Sequence, residues 1–303
     1  MSAPDDDLPI IDAHQHFWNL ATGDYPWLSP DEAVSFRYGD YGAIKKDFLV
    51  ADYRASAANQ NIVNTVHMEA EWNPTDPVAE SRWLSNLSAK EGLPGALVAQ
   101  AWLDREDVEE VLAGQAGHPL VRGIRQKPKA APSAEDYTPG LPGSMTDPAF
   151  RAGYGLLEKH GLSYDLQTPW WHLHEAAELA ADFPVTQMII NHTGLPAVRS
   201  EAGLAGWGKA IRLAAQLPNI AIKISGIGLK DQPWTVENNR RIVLETIDAF
   251  GPDRCMFASN FPVDSLVADF DTIFNGFKTI TSDFSFGDRK KLFHDAAARI
   301  YRL

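Results

Sequence analysis

Eight short apolar runs, each followed by residues of different periodicity, constrain this chain more than any other feature. The runs cover residues 10–16, 62–70, 96–103, 121–127, 162–167, 187–193, 220–226 and 255–261. Between them, apolar residues recur at helical spacing. Val78, Trp83, Leu84 and Leu87 do so within 77–91, and Val108, Val111 and Leu112 within 106–116. The same reasoning predicts helices over 51–59, 150–160, 173–182, 204–217 and 236–250. Gly161, Pro184, Pro218-Asn219 and Gly251-Pro252 punctuate the joins. Parallel strands need a crossover connection, usually a helix, so this alternation predicts an α/β chain with a parallel sheet. No Gly-x-Gly-x-x-Gly follows the first run, which favours a (β/α)8 TIM barrel over a doubly wound sheet.

Such a barrel takes roughly 250 residues, and the chain has 303, so one domain over 1–303 is expected. The net charge of −13 weighs against a nucleic-acid or anionic-membrane partner. A few local cations would still suffice to receive a small anionic molecule. Cys255 is the single cysteine, which excludes an intramolecular disulfide and suits a reducing compartment. The acidic start, Met1 to Leu8, has neither the basic nor the apolar part of a signal peptide. No run approaches the roughly 18 apolar residues of a membrane span. A cytoplasmic protein with a small-molecule partner is expected; a homo-oligomer is left open.

In a barrel the C-terminal strand ends converge on one mouth. His14 and His16, two apart on the first strand, share a face. Two imidazoles so placed can hold a divalent metal or grip a carbonyl or anion. The second strand offers His67, Glu69 and Glu71 at one parity, and the third Gln100 and Trp102. Arg125 and Lys127 come from the fourth, Asp165 and Gln167 from the fifth, His192 from the sixth, and Lys223 and Ser225 from the seventh. The eighth ends at Asn260 with Asp264 just beyond. Barrel interiors are usually Val, Ile and Leu, and unpartnered polar groups there cost several kcal/mol each, on the order of 2–7. This concentration predicts a site. Trp170, Trp171 and His172, after the fifth strand, are candidates for its wall. Two long βα connections, 17–50 and 128–149, are expected to form the pocket wall or a lid. The first is rich in aromatics: Trp18, Tyr25, Trp27, Phe36, Tyr38 and Tyr41.

The run Ile11-Asp12-Ala13-His14-Gln15-His16-Phe17-Trp18 and the segment Tyr25-Pro26-Trp27-Leu28 resemble the start of the amidohydrolase-2 family. In order along the chain, Val121-Arg122-Gly123-Ile124-Arg125, Leu162 to Gln167, Asn191-His192-Thr193-Gly194-Leu195-Pro196 and Met256 to Val263 are similar to that family too. The resemblance implies a (β/α)8 barrel and hydrolysis of a lactone of a sugar acid or pyrone carboxylate; related branches decarboxylate aromatic-type acids. It also exposes two departures. Asn191 stands where the family commonly has Asp, and Asn260 replaces the strand-eight aspartate that serves as general base. An amide cannot take up a proton near neutral pH.

The expected mechanism is therefore water addition to a carbonyl, with Asp264 or Glu69 supplying the carboxylate and Asp165 a third candidate. His192 assists, and Arg125, Lys223, Gln167, Asn260, Trp170 and His172 bind substrate. One divalent ion, zinc by preference, would sit on His14, His16 and His192; metal-free catalysis is the other expectation. Two alternatives follow from Asn260: a non-oxidative decarboxylase, and a catalytically weakened protein that binds a small acid.

Overall fold

The computed structural model describes residues 8–29 and 34–303; Met1 to Asp7, and residues 30–33 of the first long connection, lie outside the described residues. Eight strands form one parallel sheet in sequence order: β1 (Ile10–Gln15), β2 (Ile62–Met68), β3 (Ala96–Gln100), β4 (Val121–Gln126), β5 (Ser163–Leu166), β6 (Met188–Ile190), β7 (Ile220–Ile224) and β8 (Cys255–Phe257). The crossover helices are α1 (Val50–Ser56), α2 (Ala79–Glu91), α3 (Val108–Ala116), α4 (Pro148–Lys159), α5 (Leu173–Asp182), α6 (Glu201–Ala215) and α7 (Val236–Phe250), with α8 (Phe270–Ile280) after β8. This is the expected (β/α)8 barrel.

Alternation, broken by register shifts within β1 and at Leu97/Val98, sorts the strand residues into two cores. Met188, Ile190, Ile220, Ile222, Cys255 and Phe257 pack outward against the helices, in one large cluster. Ile189, Ala221, Met256 and Ala258 point inward with Val66 and Val98. The inner residues are small or slim because eight strands leave room for little more. β8 and β1 join through main-chain bonds above β8: Asn260 N–H to the His14 carbonyl at 2.8 Å, and His16 N–H to the Phe261 carbonyl at 2.8 Å. The buried Asp12 carboxylate braces this seam. It accepts from Ser259 N–H at 2.8 Å, Ser259 Oγ at 2.6 Å and Tyr53 OH at 2.9 Å.

The floor is closed by a feature absent from the sequence reading. A helical tail, α9 (Phe286–Lys290), a π turn (Lys291–Asp295) and α10 (Ala296–Tyr301), places Ala296, Ala297, Ile300 and Tyr301 in the inner core. Tyr301 OH donates to Asp165 from inside the barrel, at 3.0 and 3.1 Å to its two oxygens.

Most strands end earlier than their apolar runs. β6 stops at Ile190 and β8 at Phe257, where runs to 193 and 261 were expected. The chain there turns left-handed: φ is 55° at His192, 51° at Thr193, 56° at Leu195 and 57° at Asn260. Such a backbone costs a non-glycine residue about 1–2 kcal/mol, and neighbours hold it in place. Trp207 Nε1, for example, donates to the Thr193 carbonyl at 2.7 Å. Among the described residues no helix is long and apolar enough to cross a membrane.

Candidate active site

The mouth is built around three buried histidines. The rings of His14 and His16 lie 5.1 Å apart, and those of His14 and His192 4.6 Å. His16 Nδ1–H donates to the Met68 carbonyl at 2.8 Å, which leaves the Nε2 lone pair facing Asn260 Oδ1 at 3.3 Å. His192 Nδ1 meets Ser225 Oγ at 2.9 Å, so its Nε2 is the nitrogen left for the cavity. Both nitrogens of His14 are buried, with no hydrogen-bond partner among the described residues. Burial holds all three rings well below the ordinary histidine pKa, and neighbouring cations add to it: Lys223 at His14, Arg125 at His16, Arg37 and Arg125 at His192. All three are neutral at pH 7.

Two of the second strand's polar residues serve the frame. His67 Nδ1 accepts the Phe17 N–H at 3.1 Å, and its Nε2 faces Glu80 at 3.4 Å. Glu69 is locked to Arg125: Nε donates to Oε1 at 2.5 Å and Nη2 to the Glu69 carbonyl at 2.6 Å. Its second oxygen accepts the Glu71 N–H at 2.7 Å. Arg125 Nη1 also donates to Gln167 Oε1 at 3.2 Å. Glu69 thus aims the guanidinium, and Arg125 and Gln167 present it to the cavity.

Asp264 is 1% exposed, and one of its oxygens receives three donors: Asn260 Nδ2 at 2.6 Å, Tyr38 OH at 3.0 Å and Arg37 Nη2 at 3.2 Å. Burial raises its pKa, and those donors oppose the rise. Asp264 stands behind Asn260 rather than on the cavity surface.

A cavity of about 410 Å³ opens over these groups, lined among others by His16, Trp27, Arg37, Arg125, Gln167 and His192. Arg37 was missed by sequence reasoning. Its signal was its place in the first long connection, next to Tyr38, among aromatics that cover the mouth. Trp27 and Phe36 stack there at 6.0 Å. Gly226 makes the approach of Arg37 feasible. At φ +58°, a Cβ on it would sit 2.5 Å from His192 Nδ1 and 2.7 Å from Arg37 Nη2.

Three expected substrate contacts fall elsewhere. Lys223 is fully buried below the cavity, 2.8 Å from Asp165 and 4.9 Å from the Tyr301 ring centre. It lies next to the end of β7, and its pairing with Asp165 and the Tyr301 ring turns it into the barrel. Asp165 is used up by Lys223, Tyr301 and Asn191 Nδ2 at 2.8 Å. His172 pins the second long connection: Nε2 accepts the Ala131 N–H at 2.8 Å, and Nδ1 meets Glu175 at 3.0 Å. Trp170 packs against Gly194 and Gly206 on the outer side. Both follow β5 on a turn that leads into α5, and so point away from the mouth.

The amidohydrolase family model matches residues 11–303. The chain belongs to the amidohydrolase family. It is 44% identical to the uncharacterized protein y4mH of Sinorhizobium fredii, covering 98% of this chain and 99% of that one. It is 26% identical to an L-fucono-1,5-lactonase of Burkholderia multivorans, covering 97% and 96%. A crystal structure of an amidohydrolase from Burkholderia multivorans with bound zinc superposes with a TM-score of 0.80 at 26% identity, covering 97% and 99%.

The residues of this amidohydrolase fit a divalent ion by donor chemistry. The unpartnered His14 nitrogens are one sign. The other is that His16 Nε2 and Asn260 Oδ1 face each other as two acceptors, an arrangement that a cation between them would relieve. Among the described residues no three His, Cys, Asp or Glu side chains are grouped closely enough to form a ready-made cluster.

Proposed function

We propose that this amidohydrolase opens a small lactone, a cyclic ester of a sugar acid or pyrone carboxylate, by adding water to its carbonyl. The observation that carries this reading is the cavity over His16 and His192, with Arg125 aimed into it by Glu69. The kinship with a lactonase supports it. Arg125 and Gln167 bind and orient the substrate's oxygens; a guanidinium fixed at Nε and Nη2 keeps hydrogens on Nη1 and Nη2 free for that purpose. With the Nδ1 proton donated to Ser225 Oγ, neutral His192 offers Nε2 to take a proton from the attacking water. His192 then returns that proton to the ring oxygen as the C–O bond breaks. Trp27 and Phe36, stacked over the mouth, exclude bulk water. A divalent ion, if bound, would be held by His14, His16 and Asn260 Oδ1 and would polarise the carbonyl.

In this reading Asp264 is a positioning residue: it fixes the Asn260 amide and Arg37. Opening a lactone releases acid. A panel of sugar-acid lactones and pyrone carboxylates, followed with a pH indicator, is the test. Turnover of at least one member that drops at least 100-fold in His192→Gln is expected, from the usual worth of general base catalysis, about 10²–10⁴-fold. Carbon dioxide release from a small unsaturated acid, without lactone opening, would replace this reading by decarboxylation.

A further inference from the structure

A second cavity, of about 510 Å³, lies beside the first and shares Arg37 and Leu195 with it. Among the described residues its lining contains three cations, Arg37, Arg199 and Lys230, and no carboxylate. That is unusual in a chain with a net charge of −13. Arg199 is held by neutral oxygens: Nη2 donates to the Ile227 carbonyl at 2.7 Å and to Asn239 Oδ1 at 3.4 Å, and Nη1 to the Asn238 carbonyl at 3.1 Å. Its Nε is buried without a partner, and among the described residues no carboxylate pairs with it. Burial without a counter-ion pushes its pKa down to about 10, which still leaves it charged at neutral pH. Among the described residues the carboxylate paired with Lys230 is Asp231, at 4.0 Å, and the lysine stem packs over Gly39 of the first long connection.

The remaining wall suits a ligand with an apolar body. Trp171 stands on one side, tied by its Nε1 to the Ala131 carbonyl at 3.0 Å. The floor is the backbone of Gly226-Ile227-Gly228. A Cβ at Gly226 would strike both His192 and Arg37, and one at Gly228 would lie 2.6 Å from Val267. Close packing against His192, Arg37 and Val267 requires glycine at both positions.

A partly buried guanidinium with no counter-charge is costly unless something anionic completes it. We propose that this cavity is an anion subsite: it receives a carboxylate carried on an apolar arm of the substrate, beyond Arg37, while the scissile group lies over His16 and His192. The natural substrate is then a two-part acidic molecule rather than a bare neutral sugar lactone. The choice of scissile group rests on the lactone reading above; the anion subsite does not.

The test is calorimetric titration of the full chain with terephthalate, a rigid, non-hydrolysable dicarboxylate, at low salt. The parent binds, and binding weakens as salt is raised. Reversing the exposed Lys230 (Lys230→Glu) leaves the fold intact and weakens binding about tenfold, as expected for exchanging an attraction for a repulsion near the surface. Arg199→Gln weakens it by at least as much. No binding to the parent, or equal affinity in parent and Lys230→Glu, overturns the subsite, the latter by placing terephthalate elsewhere. If terephthalate binding obeys these expectations but no lactone is turned over, the lactone reading fails and the anion subsite stands.

Discussion

Replacing Asn260 by Asp would restore the carboxylate that the family pattern expects at the end of β8. The structure predicts that the replacement harms the protein. Asn260 Nδ2 lies 2.6 Å from Asp264 Oδ1. In Asn260→Asp that donor is lost and two carboxylates face each other at about 4 Å between charge centres, worth about 4 kcal/mol at an effective dielectric near 20. They would titrate as a coupled pair with one raised pKa. Arg37 offsets part of the repulsion, so a loss of about 3 kcal/mol is expected when both are ionised. A raised pKa in the folded state means that the folded protein binds the extra proton. Stability is therefore retained at low pH and lost as pH rises. Urea denaturation should show Asn260→Asp well below the parent at pH 8 and nearer to it at pH 5. Adding Asp264→Asn again sets one amide against one carboxylate, and should recover most of the loss in a double-mutant cycle. A single variant as stable as the parent at both pH values, or a double variant no better than the single, would refute the reasoning.

Other consequences are open to measurement. Gly226→Ala forces a Cβ against His192 and Arg37 at a left-handed φ; urea unfolding should show a loss of about 1–3 kcal/mol, with lactone turnover reduced more than the stability change explains. Arg125→Lys keeps the charge but loses the fork that Glu69 and Gln167 hold; KM should rise at least tenfold in steady-state assays, since a point charge cannot replace bidentate geometry, worth about 1.5–3 kcal/mol. Asp12 is raised by burial to about 6 from an ordinary 3.8, so its contribution to stability falls as pH rises from 4 to 6. The parent should lose about 3 kcal/mol relative to Asp12→Asn across that window, and parallel denaturation curves at the two ends would contradict it.

The barrel was legible because short apolar runs alternate with helical spacing along the whole chain. The runs at 187–193, 220–226 and 255–261 each hold a strand, and the helices over 173–182 and 236–250 fall where the spacing put them. Local pattern sufficed because strand and crossover are local units. The tail helices were not legible. Ala296, Ala297 and Tyr301 close the floor through contacts far apart in sequence, and nothing near them says so.

The site divides along the same line. His14, His16, Arg125, Gln167 and His192 sit at strand ends, where parity and depth are simple, and the structure brings them to one mouth. Lys223 has the right parity, next to the end of β7, but Asp165 and the Tyr301 ring draw it into the barrel, partners that a strand pattern read without its closing floor does not give. Arg37 and Tyr38 come from an irregular connection, and no periodicity could aim them at Asp264. Asp264 illustrates the difference between proximity and access: it is four residues from Asn260, as expected, yet spends its contacts behind it.

The central claim is that water adds to a substrate carbonyl held over His16 and His192. Turnover of an accepted lactone in ¹⁸O-labelled water tests it most directly. After one turnover a single ¹⁸O atom is expected in the carboxylate of the opened product, with none in the new hydroxyl. Label in the hydroxyl alone, or loss of carbon dioxide without incorporation, would contradict it.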